Sequence, residues 1–305
     1  MHTTFYAQSD NARRICSPLE KFTTRLLYLF LSVIMSLSLP GGPVAHSKMA
    51  VGAPSASALQ RTRRPMVTGT SVLGIKYAGG VMLASDTLCS YGSMAKFKDA
   101  RRITAIGGRE SFDATSGAPL PPSHPTLLGG GGEYSDYQAI VDMLRSDATA
   151  EYCADDGHFQ SPEETWSYLR AVMYQRRNKM NPFWNDLIVA GCDPTTKVPF
   201  LGSVDKIGTA YTDDVMATGF GSYIAVPIMR ERFRADMEEG EARALLEDCM
   251  RVLFYRDCRA LNRIVIAKAT ADGGCLVSEP YELETSWDAK SFVSDKAGLG
   301  TDGGW

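Results

Sequence analysis

From Val67 onward, apolar and polar positions alternate with periods that predict folded elements. Two apolar runs, at residues 71–76 and 81–86, flank Ala78-Gly79-Gly80 and read as a hairpin of buried strands. A short strand is expected at 102–106. The Gly-, Pro- and Ser-rich stretch 107–125 then reads as an exposed loop. Residues 126–128 lead into Gly129-Gly130-Gly131-Gly132, and a helix is expected over 133–151 with apolar residues at 137, 140, 141 and 144. Ser161-Pro162-Glu163-Glu164 marks a second helix start, with Ser161 as cap and Glu164 three residues on; it should run to Arg177. Strands are expected at 184–191, 199–203 and 209–211. Helices are expected at 221–234 and 241–256, the latter with Ala244, Leu245, Leu246, Cys249 and Val252 on its apolar face. Strands at 263–270 and 276–278 close the pattern, and 280–305 reads as an extended tail. The order is strands, helix pair, strands, helix pair, strands. Two antiparallel sheets packed together, with helices outside, would bury all of it.

Residues 1–61 differ from the rest. A 14-residue apolar run, Leu26 to Leu39, follows Arg13, Arg14, Lys21 and Arg25 and precedes Pro40-Gly41-Gly42. It resembles a signal-peptide core and is short for a membrane span, which needs about 20 residues. We read 1–61 as a leader outside the folded domain: a propeptide or a gene start placed too early, with Met49 and Met66 as later starts. Composition changes little. The chain is 44% hydrophobic and 22% charged, with net charge -3 and pI about 5.9, so no basic excess points to nucleic acid. Seven cysteines form no CxxC pair and the four histidines are scattered, which argues against a metal site and fits reduced thiols inside a cell.

The candidate chemistry centres on Gly69-Thr70 and Asp86. A hydroxyl residue that can become a chain terminus, with an acid ending the paired strand, is the layout of N-terminal-nucleophile hydrolases. With Gly132-Glu133-Tyr134-Ser135-Asp136, Arg176-Arg177-Asn178-Lys179-Met180-Asn181-Pro182-Phe183-Trp184-Asn185, Ala217-Thr218-Gly219-Phe220-Gly221-Ser222 and Tyr255-Arg256-Asp257, the chain resembles proteasome beta-type subunits over residues 62–290. Within that family it is most similar to the subclass at the seventh position of the beta ring. The resemblance implies an α+β fold, the four-layer αββα Ntn-hydrolase sandwich. It implies a beta-type domain over 62–280 and a C-terminal tail over 281–305 that reaches neighbouring subunits. It implies leader cleavage before Thr62. It also implies partners in the same and opposite beta rings and in the alpha rings, a cytoplasmic and nuclear location, and a part in ATP- and ubiquitin-dependent protein degradation. No cofactor or metal is implied.

The family's working groups are only partly present. Thr70 takes the nucleophile position and Asp86 the acid position. The position matching the family lysine is Arg102, whose guanidinium stays protonated and needs more room. Phe220 lies between the glycines of the segment where family enzymes place a serine. Asp257 remains, but Ala260 replaces the hydroxyl three residues on. Gly132 matches a glycine whose N–H would bind an oxyanion. Single base or oxyanion groups are each worth roughly a hundredfold to ten-thousandfold in rate. Thr70, Asp86, Arg102 and Asp257 are therefore read as vestigial, and the chain as a non-catalytic structural subunit.

Plainer roles accompany these. Thr70 and Asp86 serve packing and strand-end hydrogen bonds, and Asp257 pairs with Arg256 or Arg259. Residues 176–185 form either a turn or an inter-subunit contact. The alternatives left open are an active threonine endopeptidase with Thr70 as nucleophile and a secreted binding protein. A Ser-His-Asp hydrolase is weaker still, because His2 and His46 lie in the leader and His124 and His158 in connections.

Overall fold

The computed structural model describes residues 66–287, apart from 108, 113–118, 124, 155–157, 159 and 194. The leader, the cleavage position before Thr62 and the tail beyond Trp287 lie outside the described residues.

In chain order the strands β1 (Val67–Gly69), β2 (Val72–Tyr77), β3 (Gly80–Asp86), β4 (Cys89–Tyr91), β5 (Met94–Phe97), β6 (Ile103–Ile106), β7 (Arg109–Phe112), β8 (Pro119–Ser123) and β9 (Thr126–Glu133) come first. Helices α1 (Tyr134–Ala154) and α2 (Pro162–Asn178) follow, then β10 (Asn185–Cys192), β11 (Pro199–Val204), β12 (Ala210–Thr212) and β13 (Val215–Ala217). Helices α3 (Gly221–Arg232) and α4 (Glu239–Arg256) precede β14 (Arg263–Thr270), β15 (Cys275–Val277) and β16 (Tyr281–Glu282).

One sheet has the order β12-β11-β10-β9-β1-β4-β5, with β6 also on β9; the other has β13-β2-β3-β14-β15, with β16 on β14. Every pairing is antiparallel. Three apolar clusters define the layers. Val72, Leu83, Ile188 and Leu201 pack between the sheets. Tyr137, Ile140, Leu144, Leu169 and Met173 seat α1 and α2 on the first sheet with Leu187 and Val204. Ala225, Met229, Leu246 and Leu253 seat α3 and α4 on the second with Leu73 and Met82. The expected αββα sandwich is present.

Local signals explain most elements. The residues α1 buries are Tyr137, Ile140, Val141 and Leu144, the stripe read from sequence. At α2 the Glu164 N–H donates to Ser161 Oγ (3.2 Å) and the Ser161 N–H to the Glu164 carboxylate (2.8 Å), a capping box. α4 starts two residues earlier than expected, because Glu238 and Glu241 form the same reciprocal cap without a Ser or Thr to announce it. Its buried face carries Ala242, Met250 and Leu253, whereas Ala244 is exposed and Val252 half-buried.

Three features differ from the sequence reading. The stretch 107–125 is not simply a loop, since β7 and β8 pair with each other there. The segment begun at 126–128 continues as a strand through the four glycines, which form the second half of β9. β1, β4 and β5 have no counterpart among the strands expected from sequence.

Candidate active site

The site lies where β1 passes into β2. Strand β9 shares one edge between two partners: β6 along Thr126–Gly129, and β1 at Gly132 and Glu133. Arg102, the residue before β6, lies at the gap between them, and its carbonyl accepts from the Gly130 N–H (2.9 Å). Its side chain turns inward and is 1% exposed. Nε donates to the Asp86 carbonyl (3.2 Å), Nη1 to the Thr70 carbonyl (3.3 Å) and Nη2 to the Ser71 carbonyl (3.1 Å). Nη2 also pairs with the Asp86 carboxylate. The other Asp86 oxygen accepts the Leu261 N–H (3.1 Å).

This arrangement explains Gly69. A Cβ there would lie 2.4 Å from Arg102 Cδ, so the arginine fits only against a glycine. Burial pulls the Arg102 guanidinium down to about 10, opposed by the Tyr137, Asp257 and Tyr134 charges. It stays protonated at neutral pH and has no lone pair to offer a nucleophile.

Asp257 is buried at the end of α4. It forms no ion pair with Arg256 or Arg259 among the described residues. Instead its carboxylate accepts the Arg259 backbone N–H (2.9 Å), and its other oxygen has no hydrogen-bond partner. Its charge reaches Arg102 only as a longer-range attraction. The Ala260 N–H bonds to the Asp257 carbonyl (3.2 Å), and Phe220 is 55% exposed. Thr70 Oγ1 is buried and unpartnered, while its carbonyl accepts Arg102 and, at 3.4 Å, the Thr218 hydroxyl. Thr70, Asp86 and Arg102 are thus brought together, with Asp257 further out.

Sequence reasoning missed what holds the chain upstream of Thr70. β1 is an interior strand: Thr68 and Gly69 pair with Glu133 and Gly132 on one side, and Val67 and Thr68 with Tyr91 and Ser90 on the other. The Glu133 carboxylate accepts the backbone N–H groups of Met66 and Val67 (3.1 Å for Val67) and the Ser135 hydroxyl (2.8 Å). Asn185 braces the far side of β9 by donating to the Gly131 and Glu133 carbonyls (3.0 and 2.9 Å). Gly132 has φ +95°, and a Cβ on it would lie 2.0 Å from the Trp184 carbonyl oxygen. The only sequence trace of this packing is the glycine run itself. Among the described residues no His, Cys, Asp and Glu cluster could hold a metal, and no helix is long and apolar enough to cross a membrane.

The proteasome subunit family matches residues 66–118 and 124–269. The chain belongs to the proteasome subunit family. Among curated relatives it is 43% identical to proteasome subunit beta type-4 of Arabidopsis thaliana, over 81% of this chain and 92% of the relative. It is 43% identical to the beta type-4 subunit of Dictyostelium discoideum, over 74% and 81% of the two chains. It is 41% identical to that of Xenopus laevis, over 79% and 93%. Membership of the proteasome family places an Ntn-hydrolase sandwich under these residues and implies assembly with other proteasome subunits.

Proposed function

We propose that this chain is a non-catalytic beta subunit of the 20S proteasome core. It occupies the seventh position of a beta ring and contacts neighbours in that ring, the opposite beta ring and an alpha ring. The intact particle, in cytoplasm and nucleus, carries out ATP- and ubiquitin-dependent degradation. The free thiols of Cys89, Cys192 and Cys249 support a reducing compartment.

The observation that carries this reading is β1. A threonine protease of this type needs the α-amine of its nucleophile, hence a cut at Gly69–Thr70. Here the residues before that bond are the strand joining β9 to β4. Cutting would also create an ammonium beside a guanidinium already bonded to the Thr70 carbonyl at 3.3 Å. Like charges at that separation oppose each other and disfavour the ionised amine. Arg102, with its donors committed to three carbonyls and one carboxylate, supplies no base. Thr70 and Asp86 retain structural work, as the carbonyl and the carboxylate that hold Arg102.

Intact-mass measurement and N-terminal sequencing of the subunit from purified particles test this. A start at Thr62, or at any residue before Gly69, is expected. Thr70→Ala should leave every peptidase activity of the particle unchanged. A mature chain starting at Thr70, or loss of one activity in that variant, would overturn the reading.

A further inference from the structure

A recess of about 360 Å³ opens between the start of β10 and the start of α3, lined by Asp186, Gly219, Phe220, Ser222 and Tyr223. Its aromatic side chains are unusually bare for a folded domain: Phe220 is 55% exposed and Tyr223 80%. Asp186 lies opposite Gly131 in the ladder and is half-buried. It takes part in none of the ion pairs found among the described residues. The nearby cation, Lys206, rests over the Trp184 ring at 5.2 Å. Burial raises the Asp186 carboxyl above its ordinary value; Asp205 adds to this, and Lys206 opposes it through its charge and its backbone N–H.

Asp186 is the one charged side chain among the residues that line the recess. The first N–H groups of α3 are already committed within the turn that opens it. Gly221, Ser222 and Tyr223 donate theirs to the carbonyls of Thr218 (3.1 Å), Gly219 (3.2 Å) and Phe220 (3.1 Å), and the Ser222 hydroxyl donates to the Ala217 carbonyl (2.7 Å). A partly desolvated carboxylate beside two exposed rings calls for a planar cation that pairs with the acid and stacks on an aromatic face. A free small cation would be poorly held in an open recess, whereas a side chain anchored by its own protein is not.

We propose that this recess is a docking socket for an arginine side chain presented by another chain of the proteasome particle. The guanidinium pairs with Asp186 and lies against Phe220 and Tyr223. Buried arginine and tyrosine contacts of this kind dominate protein interfaces, and Asp186, which has the Lys206 backbone N–H but no close ion pair among the described residues, then acquires a bonded cation. The socket rests on the reading that the chain is built into the particle; it does not depend on Thr70 being inactive.

The test replaces Tyr223 with p-benzoylphenylalanine in the chain assembled into purified particles, followed by irradiation and peptide mapping. The expected adduct is on a segment of another chain that carries an arginine within side-chain reach. Adding Asp186→Asn should cut its yield about tenfold, the loss expected for a charge-assisted hydrogen bond. Asp205→Asn should leave it unchanged. Asp186→Arg combined with a glutamate at the partner arginine should restore it. An adduct confined to this chain, one on a segment without arginine, or a yield indifferent to Asp186→Asn would overturn the proposal. Should Asp186→Asn fail to enter particles, Tyr223→Ala, a change at an exposed side chain, should lose to the wild-type chain several-fold in competitive incorporation. Equal incorporation of Tyr223→Ala would overturn the socket. Particle incorporation, read by native mass measurement, separately tests whether the chain is a subunit at all.

Discussion

Arg102 ties together the residues that match the family's nucleophile and acid positions. Its guanidinium uses four of its five N–H donors, counting Nε, Nη1 and two bonds from Nη2, on Asp86, Thr70 and Ser71. Removing it while keeping Asp86 would strand a buried carboxylate. Arg102→Met is therefore expected to destabilise the fold by about 3–5 kcal/mol in denaturant unfolding. The double variant Arg102→Met with Asp86→Asn should recover part of that, since no buried charge is then left unpaired. Met180 tests a different physics. It follows the end of α2 with φ +56° and is 66% exposed, its N–H bonded to the Arg177 carbonyl (2.9 Å). An ordinary side chain in this left-handed conformation costs about 1–2 kcal/mol, and Asn tolerates it better. Met180→Asn should raise stability by about 0.5–1 kcal/mol, read as a higher melting temperature. The mismatch at Arg102 was legible from sequence, because a guanidinium stood where the family has an ammonium. Its four bonds were not, because they converge from residues 16 to 32 positions away. Asp257 was assigned an arginine guanidinium from sequence proximity, yet it takes an arginine backbone N–H instead.

At the scale of elements, β9 carries the site. Its glycines let neighbours approach more closely than any side chain would allow. A Cβ at Gly130 would lie 2.3 Å from the Tyr137 ring, and one at Gly131 2.7 Å from the Thr70 carbonyl oxygen. At Gly132 a positive φ is added to a backbone clash. Gly132→Ala should cost about 2–5 kcal/mol, combining left-handed strain with overpacking, and should lower the melting temperature without changing the helical content of the folded state. Four successive glycines carry no strand signal in the sequence because glycine ordinarily weakens a strand. Here the strand is held by β10, β6 and β1 together, and tertiary pairing overrides the local preference. The helices were legible because amphipathic stripes and the Ser161 capping box are local signals.

At the scale of the molecule, β1 splints the hairpin of β4 and β5 to the rest of its sheet. Without it β9 and β4 would face each other across two strand spacings, roughly 10 Å. Disrupting the Glu133 anchor with Glu133→Ala should accelerate amide hydrogen exchange over residues 89–97, leaving β2, β3 and β14 protected. The layering also sorts the thiols. Burial pushes Cys89 and Cys249 up to about 12 and Cys192 up to about 11. Cys153 and Cys258 are exposed. In the folded chain at pH 8, Cys153 and Cys258 should alkylate rapidly, and the three buried thiols only after unfolding, a difference readable by mass spectrometry.

The sequence by itself determined the layers, the helices, the long strands and the family, because periods, caps and contiguous motifs are local properties. It also determined which chemical groups are present at Thr70, Asp86, Arg102 and Ala260. Only the tertiary structure decided what those groups do. The place of β1 inside the sheet, the Glu133 anchor and the Asp186 recess all depend on residues far apart in the chain meeting across strands, and no local pattern records such a meeting. The residues around Thr70 have the local pattern of a nucleophile position; that a strand precedes it inside the sheet and that Arg102 bonds to its carbonyl are visible only in the fold.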